Sequence, residues 1–202
     1  MPTLSPSRRA ALLFATLALA CGGPGDSGVA DEVSAERAYL GLDRAIDRAI
    51  GLGFAGFNAA DSANIPEQSE PGELGGLMRV SGKVDQGASN NKNMDLDVVL
   101  EQDYADQVLA GDDGAELAIT YNGGPADLAM AFKGLPDATL TGSLTGSFTM
   151  TGDLEGDVTL DLSFTGTTMD AGDGTIVRAP GSIRVTGTAT SPYGVFNVDV
   201  SL

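Results

Sequence analysis

The sequence predicts a mainly β protein: an antiparallel meander of about eight strands forming a barrel or half-barrel, preceded by one amphipathic helix. Three observations predict it. From Leu140 to Thr167 every even position is Leu, Gly, Phe, Met or Val, and every odd position is Thr, Ser, Asp or Glu. Period two gives β-structure one apolar and one solvated face. Shorter alternating runs flank this stretch on both sides, separated by turn residues. Ahead of them, Val33, Tyr39, Leu42, Ile46, Ala49 and Ile50 recur at the spacing of a helix face.

The chain opens with Arg8 and Arg9, an uncharged run from Ala10 to Ala20, and small residues before Cys21, the only cysteine of the chain. A charged start, a short apolar run and a small-residue cut site make a secretory signal peptide over 1–20. The apolar run is well short of the roughly 20 residues a membrane-spanning helix needs. Ala18-Leu19-Ala20-Cys21 resembles the lipobox of bacterial lipoprotein precursors, with Ala18 where that family usually has Leu. The resemblance covers about the first 25 residues and implies a diacylglyceryl group on Cys21, usually with a third acyl chain. Two or more chains anchor stably where one does not. It also implies a membrane partner and export to the cell envelope, with Gly22 rather than Asp favouring the outer membrane. Residues 21–30, rich in glycine, read as a flexible tether.

After Cys21 the chain has nine basic and 28 acidic residues, a net −19. Such a surface repels phosphate backbones and excludes nucleic acid as a partner. Histidine is absent, which removes the usual general base and the commonest transition-metal ligand. With Cys21 lipidated, no thiol remains for chemistry. No cofactor is expected beyond that lipid; a metal would have to be a hard cation such as calcium, held by oxygens. The chain has no tryptophan and four tyrosines, which argues against the aromatic girdles of an integral outer-membrane barrel.

The helix is expected over 31–57. Asp31 and Glu32 suit its N-terminus electrostatically, and Phe54 and Phe57 continue its apolar face past Gly51 and Gly53. Residues 58–76, with Pro66 and Pro71, read as a linker. The antiparallel β domain then fills 77–202. Its first hairpin pairs 78–84 with 94–100 and brings Lys83 near Asp95 or Asp97. A second would join 117–121 to 128–132 through Asn122-Gly123-Gly124-Pro125. The long run keeps its parity across a turn, as an odd-numbered loop requires. A three-residue loop Leu154-Glu155-Gly156 would set Met150 opposite Leu160, Phe148 opposite Leu162 and Gly146 opposite Phe164, and bring Asp153 against Asp157. Strands over 183–189 and 196–202 close the domain across Ser191-Pro192-Tyr193-Gly194.

Candidate sites are few. Asp170 and Asp173 could form a weak calcium site, without the full carboxylate run of an EF-hand loop; Asp112-Asp113-Gly114 is of the same kind. Asp95, Asp97, Glu101 and Asp103 share one strand face, but they face solvent and have Lys83 as a partner, so a carboxylate pair for glycoside cleavage is not expected. Ser81 beside an exposed Lys83 lacks the desolvation a lysine base needs. The apolar face lined by Leu144, Phe148, Met150, Leu160, Leu162 and Phe164 could enclose an acyl chain; alternatively the helix plugs it as a filled core. The expectation is a lipid-anchored envelope protein, not an enzyme, serving as a structural or interaction domain with an envelope protein partner. The alternative is a carrier or binding module for a lipid or other apolar ligand.

Overall fold

The computed structural model describes residues 28–85, 87–111, 114–172 and 174–202. The signal peptide and Cys21, the pair Asp112 and Asp113, and Asp173 lie outside the described residues. Two helices come first, α1 (Glu32–Leu40) and α2 (Asp43–Ala59). Ten strands follow: β1 (Asn64–Pro71), β2 (Gly75–Val84), β3 (Lys92–Ala105), β4 (Val108–Ala110), β5 (Glu116–Lys133), β6 (Thr139–Gly152), β7 (Gly156–Asp170), β8 (Ile176–Arg178), β9 (Arg184–Ser191) and β10 (Gly194–Ser201). They make one antiparallel sheet in the order β1-β2-β3-β5-β6-β7-β9-β10, with β4 added to β5 and β8 to β7. The meander is as the alternation predicts. The sheet is not closed into a barrel: β1 and β10 are its two edges.

The single expected helix is two. Asp31 caps α1 through its carboxylate, which accepts from the Ser34 amide at 2.7 Å, while the Asp31 amide donates to the Ser34 hydroxyl at 3.0 Å. The break at Gly41-Leu42 has a cause in the sheet. The buried Tyr121 hydroxyl donates to the Ala38 carbonyl at 3.0 Å, and the Leu42 amide bonds Tyr39 O at 2.8 Å instead. Gly41 faces the Tyr121 ring so closely that a Cβ there would collide with it. Val33, expected on the apolar face, is exposed, while Tyr39, expected there too, is buried together with Ala35 and Ala38. On α2 the buried stripe is Ala45, Ile46, Ala49, Ile50, Gly53 and Gly56. Burial of each isoleucine contributes about 1.5–3 kcal/mol.

The stretch read as a linker contains β1, an edge strand whose register against β2 slips by one residue between Ile65 and Gln68, around Pro66. Proline is tolerated at an edge because no further strand needs its missing amide. Ile65 alone of β1 is buried, against Gly56 of α2.

The expected hairpin at 117–132 is instead the single strand β5, bulged at Gly123-Gly124-Pro125. Against β6, Gly123 pairs Phe148 and Asp127 pairs Thr145, one residue more on β5 than on its partner. Gly124, at φ +104°, lies against the Val98 carbonyl where no side chain fits. The β6–β7 register also differs from expectation. Met150 pairs Gly156, Phe148 pairs Val158, Gly146 pairs Leu160 and Gly142 pairs Phe164. The turn is thus centred two residues earlier, on Asp153, and the connection is still odd-numbered, so parity survives. It is held by β5: the Asp153 amide donates to Ala118 O at 2.9 Å and the Asp153 carboxylate accepts from the Ala118 amide at 2.7 Å. Asp153 therefore does not face Asp157, which instead accepts from the Thr149 hydroxyl at 2.7 Å.

The apolar faces of the strands and helices join in one core. α1 packs on β9 and β10 near one edge of the sheet, and α2 packs on β1, β2 and β3 near the other. The helix pair thus packs on the apolar face of the sheet. The core draws on residues from Val29 to Val200, so the segment from 28 onward carries its own interior.

Candidate functional site

Leu144, Phe148, Met150, Leu160, Leu162 and Phe164 are all buried, facing the helices. Tyr39 packs on Phe164, with ring centroids 6.2 Å apart, and Tyr121 meets Phe148 edge-on at 6.3 Å. Where α2 crosses this part of the sheet there is a void of about 20 Å³, lined by Leu42, Ile46, Leu144 and Phe148 among others. That is room for about one water, and an apolar lining gives a water no partners.

Two arginine clusters pin the helices in place. Arg178 of β8, almost fully buried, donates through Nε to Asp47 at 2.6 Å and through an η nitrogen to Asp43 at 2.8 Å. Its other η nitrogen reaches the Asp43 carbonyl at 2.8 Å and the Asp47 carboxylate at 3.0 Å. Burial works to lower its pKa, but hydrogen bonds and charge from Asp47 and Asp43 outweigh it and hold the guanidinium above its ordinary range. Tyr39 donates to the same Asp43 at 2.5 Å; burial, then the Asp43 charge, pushes its phenol up. Arg48 of α2 meets Glu70 at 3.0 Å and the Pro71 carbonyl at 2.6 Å, and its Nε lies 3.4 Å from the buried Asp106. Tyr104 donates to Asp106, and burial followed by that hydrogen bond raises the phenol. Gln107 donates to the Leu40 carbonyl at the end of α1.

The four β3 carboxylates are not one row. A two-residue bulge, with Gln102 at φ +60° and Asp103 at φ +58°, breaks the face after Glu101. Glu101 pairs with Arg79 at 2.5 Å, and Asp103 accepts from the Asn122 amide group at 2.7 Å. Asp95 stands opposite Lys83 as expected, while Asp97 stands opposite Asp127 of β5. Burial, then the charges of Asp95 and Asp97, raises the Asp127 carboxyl. Asp170 accepts from the amides of Gly172 and Gly174 at 2.7 and 3.0 Å, a turn held by its own carboxylate. Among the described residues no group of three acidic side chains is placed to hold a metal ion.

A larger recess lies at the C-terminal end of α2. It is a cleft of about 500 Å³ between Gly51, Phe54 and Phe57 of α2, Lys92 at the start of β3, Leu135-Pro136 after β5, and Ile176 of β8. Phe54 is fixed from behind by Phe132, with ring centroids 5.4 Å apart. Sequence reasoning singled out neither Lys92 nor Arg178 and Arg48. The available signal was position: Arg178 follows Ile176-Val177, and Lys92 falls two residues before the apolar run that starts at Met94. Position alone does not decide, since Lys83, Lys133 and Arg184 also stand beside buried strand residues and are exposed.

No helix among the described residues is long and apolar enough to cross a membrane. No protein-family model matches this chain, and neither a curated protein nor a solved structure matches it.

Proposed function

We propose that this chain is an exported domain held to the bacterial cell envelope, at the outer membrane, by a lipid on Cys21, and that it serves there as a structural or interaction module without catalytic chemistry. Its β domain is a half-barrel stoppered by its own helices. The observation that supports the reading is the state of the interior. The apolar face is covered by α1 and α2 with a void of only about 20 Å³, and the arginines beside it are engaged in ion pairs that hold helix to sheet. Expression of the full chain in a bacterium with two membranes tests the anchor. The expected result is membrane-bound protein whose N-terminal peptide begins at Cys21 with acyl mass attached, and loss of that species in Cys21→Ser. Soluble protein with an unmodified Cys21 would overturn it.

The cleft beside α2 favours a second reading, a binding module for an apolar ligand, since about 500 Å³ lies in the range of small-molecule sites. Interior carriage by Leu144, Phe148 and their neighbours would require both helices to leave.

A further inference from the structure

Among the described residues the cleft is lined by one cation, Lys92, and a mostly apolar wall. Lys92 is 8% exposed. Among the described residues, its ammonium donates to the Gly87 carbonyl and lies 5.0 Å from the centre of the Phe57 ring, and it pairs with no carboxylate. The arginines that are buried or partly buried behave differently: Arg178, Arg48 and Arg79 each meet an acidic side chain. In a chain with 28 acidic residues, a buried ammonium left to a carbonyl and an aromatic face stands out. An ammonium has three donors, and a buried charge is costly until a counter-charge meets it. Beside it, Phe54, Phe57, Leu135, Pro136 and Ile176 line the recess. Gly51 leaves the helix side open, since a Cβ there would meet nothing within 4 Å.

We propose that this cleft binds a medium-chain fatty carboxylate, its head group on Lys92 Nζ and its chain along Phe54, Leu135 and Ile176. The inference rests on the binding-module reading and is independent of the lipid on Cys21. A single ammonium matches the single charge of a carboxylate, and Phe54, Phe57, Leu135, Pro136 and Ile176 offer the tail apolar contact, with Asn58 and Thr175 as the polar side chains of the rim.

Decanoate and decanol, which share a tail and differ in charge, are the probes. They would be titrated calorimetrically into the chain from Asp26 onward, which contains the whole core described above. Decanoate should bind one to one. Lys92→Met should weaken decanoate at least about tenfold, the worth of one charge-assisted hydrogen bond, and leave decanol unchanged. Gly51→Leu, which puts a side chain into the cleft from a position where a Cβ meets nothing within 4 Å, should exclude both; Lys92→Arg should retain decanoate. Absence of decanoate binding, or equal affinity in Lys92→Met, would overturn the proposal. In that case, decanol binding that Gly51→Leu abolishes would leave the binding-module reading standing, and no binding of either probe would remove both.

Discussion

At the scale of single residues, the domain uses its few cations as fasteners. Arg178 satisfies two carboxylates and a carbonyl on the first turns of α2. Arg178→Ala would leave Asp43 and Asp47 facing each other beside the Tyr39 hydroxyl, and removing one partner of a buried pair costs roughly 3–5 kcal/mol. Asp47 is about a third exposed, so the loss is expected near the lower figure, about 3 kcal/mol, read as a shift of the urea midpoint at constant slope. Asp127 works in the opposite sense. It stands across from Asp97 and its carboxyl is raised by burial and by Asp95 and Asp97. A carboxyl whose pKa is raised in the fold destabilises it when ionised, and the penalty is relieved as pH falls through the raised value. Asp127→Asn should therefore stabilise the protein at neutral pH by a few tenths of a kcal/mol, as expected for like charges across a strand pair. The gain should shrink in high salt and vanish in acid, when thermal melts of the two proteins converge.

At the scale of elements, the helix pair depends on its caps and on its break. Asp31 is held below the ordinary carboxylate range, first by the Ser34 hydroxyl and then by the Ser34 amide. A depressed carboxylate contributes stability above its unfolded pKa and loses it as pH falls through the folded one. Asp31→Ala should cost about 1 kcal/mol at neutral pH and nothing below that point, measured by chemical denaturation across pH. Gly41→Ala should also destabilise, because its methyl would push against the buried Tyr121 ring and loosen the bond to Ala38; tyrosine near-ultraviolet dichroism should change with it. These cases mark what a sequence makes legible. Alternation identified the strand faces from Leu140 to Thr167, and the buried and exposed positions follow it. The same alternation left the β6–β7 register open, because any odd loop keeps parity; the Asp153 bonds to Ala118, 35 residues away, chose it. The β5 bulge read as a hairpin for a related reason, since Gly-Gly-Pro suits a turn as well as a kink. The helix break was hidden because its cause, Tyr121, lies 83 residues from Ala38. Of the sites, the apolar face was visible through its period, and the cleft was not, because it gathers Phe57, Lys92, Leu135 and Ile176 from separate elements.

At the scale of the molecule, an open sheet has two edges and an apolar face to cover. The sequence answers both with the same segment: α1 lies by β10 and β9, α2 by β1 and β2, and both fill the face between. The edges themselves are defended by composition, β1 by Pro66, Glu67 and Glu70 and β10 by the Arg184–Asp199 pair across its hairpin at 2.8 Å. On this account the helices are a structural part of the core, not a lid over a store for ligand. Native-state hydrogen exchange on the chain from Asp26 onward tests that claim directly. The central amides of α2, from Ile46 to Phe54, should open only with the sheet, with the same free energy as those of β5, β6 and β7. Exchange of α2 through a local opening several kcal/mol below global unfolding would contradict the account and make the helix pair a detachable cover.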